Sequence, residues 1–306
     1  MSSSGGSTKV IFIALCANLG IAIAKFVGAS ISGSAALLAE GIHSVVDCTN
    51  QVLLLVGEKS SRKRPSASHP LGYGRESFFW SFVVAILLFS MGGLFAIYEG
   101  AHKIADPHEM TNPGLALGIL IFGIVLEGYS FLACLKEVRK RDPGMPIWNW
   151  YRRTTRAGLL VIFTEDLGAL LGLVMASVCI GLSWALHDPM WDALGSILIG
   201  ALLVILAVVL SVEVKSLIIG EAPAKDYRHE VETITREYLP GSKILNFIAL
   251  KTGDNEVMLS IKIHPGRIQK VPDLIEAFNQ IEDRIGERFP EIKWKFLEPD
   301  DREDIY

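Results

Sequence analysis

Six long apolar runs determine what this chain can fold into. They cover residues 10–29, 35–56, 78–97, 114–135, 159–186 and 193–212. Each is close to the length of about 20 residues that an α-helix needs to cross the hydrocarbon core of a bilayer. Half of the 306 residues are hydrophobic and the mean hydropathy is +0.38, which indicates apolar surface in contact with lipid. The sequence therefore predicts an α-helical membrane protein with six transmembrane helices within residues 1–217.

Lysine and arginine residues are concentrated in alternate loops of this predicted membrane domain. The loop after the second run and the loop after the fourth run hold twelve of them: Lys59, Arg62, Lys63, Arg64, Arg75, Lys136, Arg139, Lys140, Arg141, Arg152, Arg153 and Arg156. The three opposite loops contain almost none. Short loops rich in lysine and arginine lie on the cytoplasmic side of a membrane, and with six spans both termini lie on that same side. Both termini are therefore expected in the cytoplasm. The opening segment MSSSGGSTK lacks the Arg-rich pattern of an organelle-targeting peptide, so we expect the cell (inner) membrane of a bacterium.

Residues 218–306 are rich in charged residues, and their apolar residues recur at the spacing typical of a small water-soluble domain. Their pattern predicts a helix, two strands, a second helix and a third strand, at residues 224–238, 244–251, 257–264, 272–288 and 292–297. This αββαβ order is typical of an α+β, ferredoxin-like domain with its helices on one face of a sheet. A domain of this size has a small core that association with a second copy would stabilise. Residues 218–306 are therefore expected to favour association of two copies of the chain.

Acidic and histidine side chains interrupt three of the apolar runs. They are Glu40, His43 and Asp47 in the second run, Glu127 in the fourth, and Glu165 and Asp166 in the fifth. An ionised carboxylate near the centre of a bilayer costs about 3 kcal/mol, so such a set needs neutralisation, water or a bound cation to offset it.

The spacing of these residues favours a bound cation. His43 and Asp47 are four residues apart and so share one face of a helix, where a nitrogen and an oxygen can reach one ion. Glu165 and Asp166 are adjacent and diverge by about 100°, so we expect one of the two to face a partner helix. Together they predict a four-coordinate site that suits Zn²⁺, with Fe²⁺, Mn²⁺ and Co²⁺ as alternatives.

Each of these residues also has an alternative role. A lone histidine in a span is usually a hydrogen-bond donor between helices, and Glu165 could instead bond a neighbouring helix or face water. Glu40 and Glu127 are more often structural or proton-handling residues than ligands, so they are predicted as a proton relay or as secondary members of the site.

Two stretches of the sequence resemble a known family. LLAEGIHSVVDCTNQVLLL resembles the second span of the cation diffusion facilitator transporters, whose signature there is L-A-D/E-x-x-H-S-x-x-D, and HPLGYGRESFFWS at residues 69–81 resembles the start of the third. The resemblance implies a homodimeric secondary transporter in which the cytosolic domain of residues 218–306 serves dimerisation and regulation. It would bind a divalent cation between its second and fifth spans and exchange it for protons, moving metal out of the cytoplasm.

The fifth span departs from the pattern of the family. Typical zinc members carry H-x-x-x-D there, whereas Ile162 stands four residues before Asp166 and cannot ligate. Glu165 is the expected substitute. An E-D pair at this point is similar to the branch that includes human zinc transporter nine. A carboxylate-rich site tolerates harder ions, so the motif predicts a cation transporter but leaves Zn²⁺ as one of several candidate substrates.

Other classes of function are less well supported by the sequence. No basic stripe with interleaved aromatic residues indicates nucleic-acid binding, and no GxxxxGK[ST] motif indicates an ATP-driven pump. A membrane metallohydrolase is an alternative, but HExxH is lacking, so we expect no enzyme. A membrane metal sensor that binds the cation without transporting it is a further alternative. We expect lipid, protons and the divalent cation as partners, and no cofactor beyond the transported cation.

Overall fold

Long helices make up most of the chain in the computed structural model, which describes residues 4–141, 144–154, 156–254, 256–266 and 270–302. The helices before the C-terminal region are α1 (Ser4–Ser32), α2 (Ala35–Ser61), α3 (Glu76–Leu87), α4 (Phe95–Ala105), α5 (Pro113–Arg141), α6 (Ile147–Arg153), α7 (Ala157–Leu186) and α8 (Met190–Ile219). A π-helical segment, Leu88–Leu94, joins α3 to α4 and makes them one continuous helix.

This arrangement confirms the predicted helical membrane fold. Each apolar run corresponds to one long helix, the third being α3 with α4. Within the described residues, four stretches are long and apolar enough by themselves to cross a membrane: Glu76–Ala105, Pro113–Lys140, Ala157–Leu186 and Met190–Ile219. The second helix is less apolar because the candidate site residues lie on it. The chain is a multi-pass membrane protein.

A buried carboxylate fixes the start of α2. Asp192, in the first turn of α8, accepts hydrogen bonds from Ser34 Oγ at 2.6 Å and from the backbone N–H of Ala35 at 2.7 Å. It therefore satisfies donors at the beginning of α2 that have no partner within the helix. The ammonium of Lys103, on α4, lies 2.7 Å from the same carboxylate and neutralises it. Helices α2, α4 and α8 are thus tied together at this end.

The third span and α8 pack backbone against backbone. A Cβ atom added to Gly200 would lie 2.6 Å from the carbonyl oxygen of Gly93 and 2.8 Å from the backbone nitrogen of Ile97. Such contacts leave no room for a side chain, so glycine at these positions sets the close approach of the two helices.

The C-terminal region has the predicted αββαβ order. It contains α9 (Arg228–Tyr238), β1 (Lys243–Gly253), β2 (Glu256–His264), α10 (Val271–Arg288) and β3 (Ile292–Pro299). Strand β2 lies in the centre of the sheet, antiparallel to β1 and parallel to β3. Apolar side chains of both helices and all three strands form one core, which includes Val231, Ile261, Ile281 and Phe289. The predicted α+β fold of this region is confirmed.

Two compact units divide the chain. The first contains most of the membrane helices, and the second joins Glu58–Phe78 and Tyr151–Ala157 to the chain from Lys215 onward. Part of the loop after α2 therefore belongs to the same unit as the small sheet. The predicted boundary between residues 217 and 218 stays a prediction.

Within the second unit, Asp254 occupies the turn between β1 and β2. It accepts a hydrogen bond from Ser77 Oγ at 3.1 Å and another from the backbone of Ala157. Burial raises the pKa of the Asp254 carboxyl to about 6 in spite of these donors. Gly253 and Gly74 come so close that an added Cβ on Gly253 would lie 3.0 Å from Gly74 Cα. The turn is thus held against the segment that leads into α3.

Candidate metal centre

The first half of the candidate centre is the pair predicted on α2. His43 Nε2 lies 3.6 Å from Asp47 Oδ2, as expected for residues one helical turn apart. The His43 side chain is 1% exposed and that of Asp47 is 16% exposed. Among the described residues, neither ring nitrogen of His43 has a hydrogen-bond partner, and Asp47 Oδ1 has none either. Buried polar atoms are normally satisfied, so the acceptor nitrogen of the neutral His43 ring and Asp47 Oδ1 are available to bind a cation.

The second half is formed by α7. Glu165 is buried, and its Oε1 accepts a hydrogen bond from Asn50 Nδ2 of α2 at 2.5 Å. Through this hydrogen bond, Glu165 of α7 is held against α2, the helix that carries His43 and Asp47. The alternative considered for Glu165, a bond to a neighbouring helix, is therefore present in the structure.

Asp166 points in a different direction from Glu165. Its Oδ2 accepts a hydrogen bond from Ser130 Oγ of α5 at 3.1 Å. The divergence expected of adjacent residues on a helix explains why the two acids meet different helices. The charge of Asp166 still interacts with that of Asp47, so it lies near the same centre. Ile162 is exposed, one turn before it.

A buried lysine neutralises Glu40. Lys25 Nζ of α1 lies 3.1 Å from Glu40 Oε2 and 2.8 Å from Ser44 Oγ, and both charged side chains are fully buried. Gly172 of α7 faces the other carboxylate oxygen of Glu40 so closely that a side chain would not fit there. Glu40 is thus held in an ion pair between α1, α2 and α7.

Glu127 lies on α5, one turn before Ser130, and is partly buried. Its charge interacts with those of Asp47 and Asp166. This position places it beside the centre, on the side of α5.

The structure brings these residues together only in part. His43 and Asp47 are in contact, and Glu165, Asp166 and Glu127 lie around them. Over the described ranges, however, no group of three or more His, Cys, Asp and Glu side chains is already close enough to hold a metal ion. The assignment of His43, Asp47, Glu165 and Asp166 as ligands stays a prediction.

Two residues that contact the candidate site residues, Lys25 and Asn50, were missed by reasoning from the sequence. Lys25 is a cation within the first apolar run, and a charge at that depth indicates a partner of opposite sign. Asn50 is seven residues after His43 and three after Asp47, so it shares their helical face. The charge of Lys25 and the spacing of Asn50 could both be read from the sequence, although neither feature identified the partner residue on the other helix.

Comparison with known proteins decides the family. The cation efflux transmembrane domain family matches residues 11–219, which is more than half of the chain. The chain belongs to the cation diffusion facilitator family. This match confirms the family indicated by the α2 motif.

Relatives of this cation diffusion facilitator occur in animals, plants and bacteria. It is 32% identical over 200 residues to the proton-coupled zinc antiporter SLC30A9, mitochondrial, of Homo sapiens, covering 65% of this chain and 35% of that protein. It is 32% identical over 218 residues to metal tolerance protein C4 of Arabidopsis thaliana, with coverage of 71% and 48%. It is 25% identical over 197 residues to zinc transporter ZitB of Yersinia pestis, with coverage of 64% and 59%. The chain thus matches about a third to three fifths of the length of these relatives.

Proposed function

We propose that this protein exports divalent transition-metal cations in exchange for protons, with Zn²⁺ as the main substrate. The proposed ligands are His43 and Asp47 of α2 together with Glu165 and Asp166 of α7. The cation is cargo rather than a resident cofactor. Glu127 is proposed as a secondary member of the site that handles protons.

The observation that carries this proposal is the buried His43–Asp47 pair with its unsatisfied atoms. Among the described residues, both ring nitrogens and one carboxylate oxygen of the pair have no hydrogen-bond partner. Leaving such atoms unsatisfied is unfavourable, whereas one cation would be bound by the acceptor nitrogen of the His43 ring and by the Asp47 oxygen together. Nitrogen and oxygen donors in this combination suit Zn²⁺.

Exchange for protons follows from the chemistry of these ligands. An imidazole must be neutral and a carboxylate ionised before either binds a metal, so metal entry displaces protons and protons displace metal. His43 and the surrounding acids can supply both conditions at one place. The names of the human antiporter and of ZitB lend support to zinc as cargo.

The position of the protein in the cell is also a proposal. The distribution of lysine and arginine supports cytoplasmic termini, which we propose for a bacterial inner membrane, whereas the human relative is named as mitochondrial. Reporter fusions at both ends, one active only in the cytoplasm and one only outside it, test this orientation. Light scattering of the purified protein tests the proposed homodimer.

Transport can be tested in vesicles that contain the purified protein and a metal-sensitive dye. With an imposed pH gradient, we expect Zn²⁺ flux that follows the size of the gradient. Flux should fall about 10- to 100-fold in His43→Ala and Asp47→Ala, the range seen when groups that support a metal are removed. A matched control is Ser196→Ala, which removes a buried bond between Ser196 Oγ and the carbonyl of Ala96 at 2.7 Å.

The possible outcomes separate the classes of function. Metal binding without flux would support a sensor and contradict the transporter. Flux that does not depend on the pH gradient would contradict exchange for protons but not metal transport itself. Unchanged flux in both α2 variants would contradict the proposed site.

A further inference from the structure

Asn50 connects the two halves of the candidate centre. It is fully buried on the face of α2 that carries His43 and Asp47, and its Nδ2 donates to Glu165 Oε1 of α7. A carboxylate held by one of its oxygens keeps the other available for a ligand. The hydrogen bond therefore orients Glu165 toward the α2 pair.

The other end of the Asn50 amide is an unsatisfied acceptor. Within the part of the chain that the structure describes, Asn50 Oδ1 is buried and has no hydrogen-bond partner. Asp47 Oδ1, one turn earlier on the same helix, is in the same condition. Two buried oxygen acceptors on one helical face are unfavourable unless a donor or a cation satisfies them.

We propose that Asn50 determines the metal specificity of this centre: its amide N–H fixes Glu165, and its amide oxygen serves as a neutral oxygen donor to the cation. This inference rests on the proposed function and adds a residue to the site proposed there. Oxygen donors suit Mn²⁺ and similar ions, whereas imidazole suits Zn²⁺. With Asn50 in place, one histidine is combined with several oxygen donors. The centre should therefore accept Mn²⁺ beside Zn²⁺.

A purely structural role for Asn50 predicts something different. If its hydrogen bond only held α2 against α7, a substitution would lower stability but leave the relative affinity for two metals unchanged. The ratio of the dissociation constants for Mn²⁺ and Zn²⁺ is therefore the decisive quantity. Ser196→Ala again serves as the control, because it also removes a buried hydrogen bond between two helices.

Two substitutions of nearly the same size as asparagine should move this ratio in opposite directions. Asn50→Leu removes the oxygen donor and the bond to Glu165, so it should weaken Zn²⁺ binding about 10-fold and Mn²⁺ binding about 100-fold. Asn50→Asp also loses the N–H donor to Glu165, but it keeps an oxygen and adds a negative charge, so it should weaken Zn²⁺ binding more than Mn²⁺ binding and shift the preference toward Mn²⁺.

The experiment is a competition titration of the purified full chain in detergent with Zn²⁺ and Mn²⁺ against a fluorescent chelator. It includes both Asn50 variants, Glu165→Gln, the double variant Asn50→Leu/Glu165→Gln, His43→Ala and Ser196→Ala. We expect opposite shifts of the ratio in the two Asn50 variants and a non-additive effect in the double variant. If either Asn50 variant folds, it tests the proposal.

The inference about Asn50 would be overturned by a ratio that stays the same in a folded Asn50 variant, or by additive effects in the double variant. Undiminished metal binding in His43→Ala would instead contradict the proposed site as a whole. The two failures are therefore distinguishable in one set of titrations.

Discussion

The ion pair between Lys25 and Glu40 leads to a quantitative prediction about stability. Both side chains are fully buried, and the Lys25 ammonium also bonds Ser44 Oγ. Replacing one member of a buried pair leaves the other charge without compensation, which costs about 3–5 kcal/mol, whereas replacing both is often close to neutral. Lys25→Met should therefore lower the free energy of unfolding by about 3–5 kcal/mol. Lys25→Met/Glu40→Gln should recover most of this loss.

The assay is an unfolding titration in mixed micelles of the parent, both single variants and the double variant. The resulting double-mutant cycle isolates the coupling between the two residues, which we expect to be about 3 kcal/mol. Arg62→Met is a suitable control because its partner Glu58 and Arg62 itself are exposed at 56% and 75%. Such a surface pair contributes less than about 1 kcal/mol.

The reasoning would be refuted if Lys25→Met lowered stability no more than Arg62→Met does. It would also be refuted if the double variant were no more stable than Lys25→Met. Either result would mean that Glu40 is compensated by something other than Lys25.

Three further predictions concern the packing and the second unit. Asp192→Leu leaves its buried partners unsatisfied and should lower thermal stability in detergent by about 3–5 kcal/mol, whereas Asp188→Ala, which removes only an exposed hydrogen bond at the start of α8, should cost about 1 kcal/mol. Gly200→Ala forces apart backbones in contact and should cost about 1–3 kcal/mol, while Gly181→Ala, which has open space around it, should be neutral or stabilising in the same melts. Because burial raises the pKa of Asp254 to about 6, the folded chain holds its proton more tightly than the unfolded chain. The protection of β1 and β2 amides from hydrogen exchange, corrected for the intrinsic pH dependence of amide exchange, should therefore fall as the pH rises from about 4 to 6, and Asp254→Asn should abolish this fall.

The spans and the α2 pair could be predicted from the sequence because both depend on local patterns. The length of an apolar run predicts a span, and a spacing of four residues predicts that His43 and Asp47 meet. The ends of the helices were less predictable. Helix α2 continues to Ser61 and the third span to Ala105, because backbone hydrogen bonds extend beyond the apolar residues.

Contacts between side chains of different helices could not be predicted from the sequence. Lys25 and Glu40 are 15 residues apart, and Asn50 and Glu165 are 115 apart, so no helical period relates them. Their pairing depends on how α1, α2 and α7 pack. For the same reason, the sequence left open which of Glu165 and Asp166 faces α2. The structure pairs Glu165 with α2 through Asn50 and Asp166 with α5 through Ser130.

Anomalous X-ray scattering from the protein crystallised with Zn²⁺ tests the central claim most directly. We predict a peak between α2 and α7 within about 2.0–2.2 Å of a His43 ring nitrogen and of carboxylate oxygens from Asp47, Glu165 and Asp166. The peak should be lost in crystals of the His43→Ala variant. A zinc peak elsewhere in the membrane helices, with His43 unligated, would contradict the account.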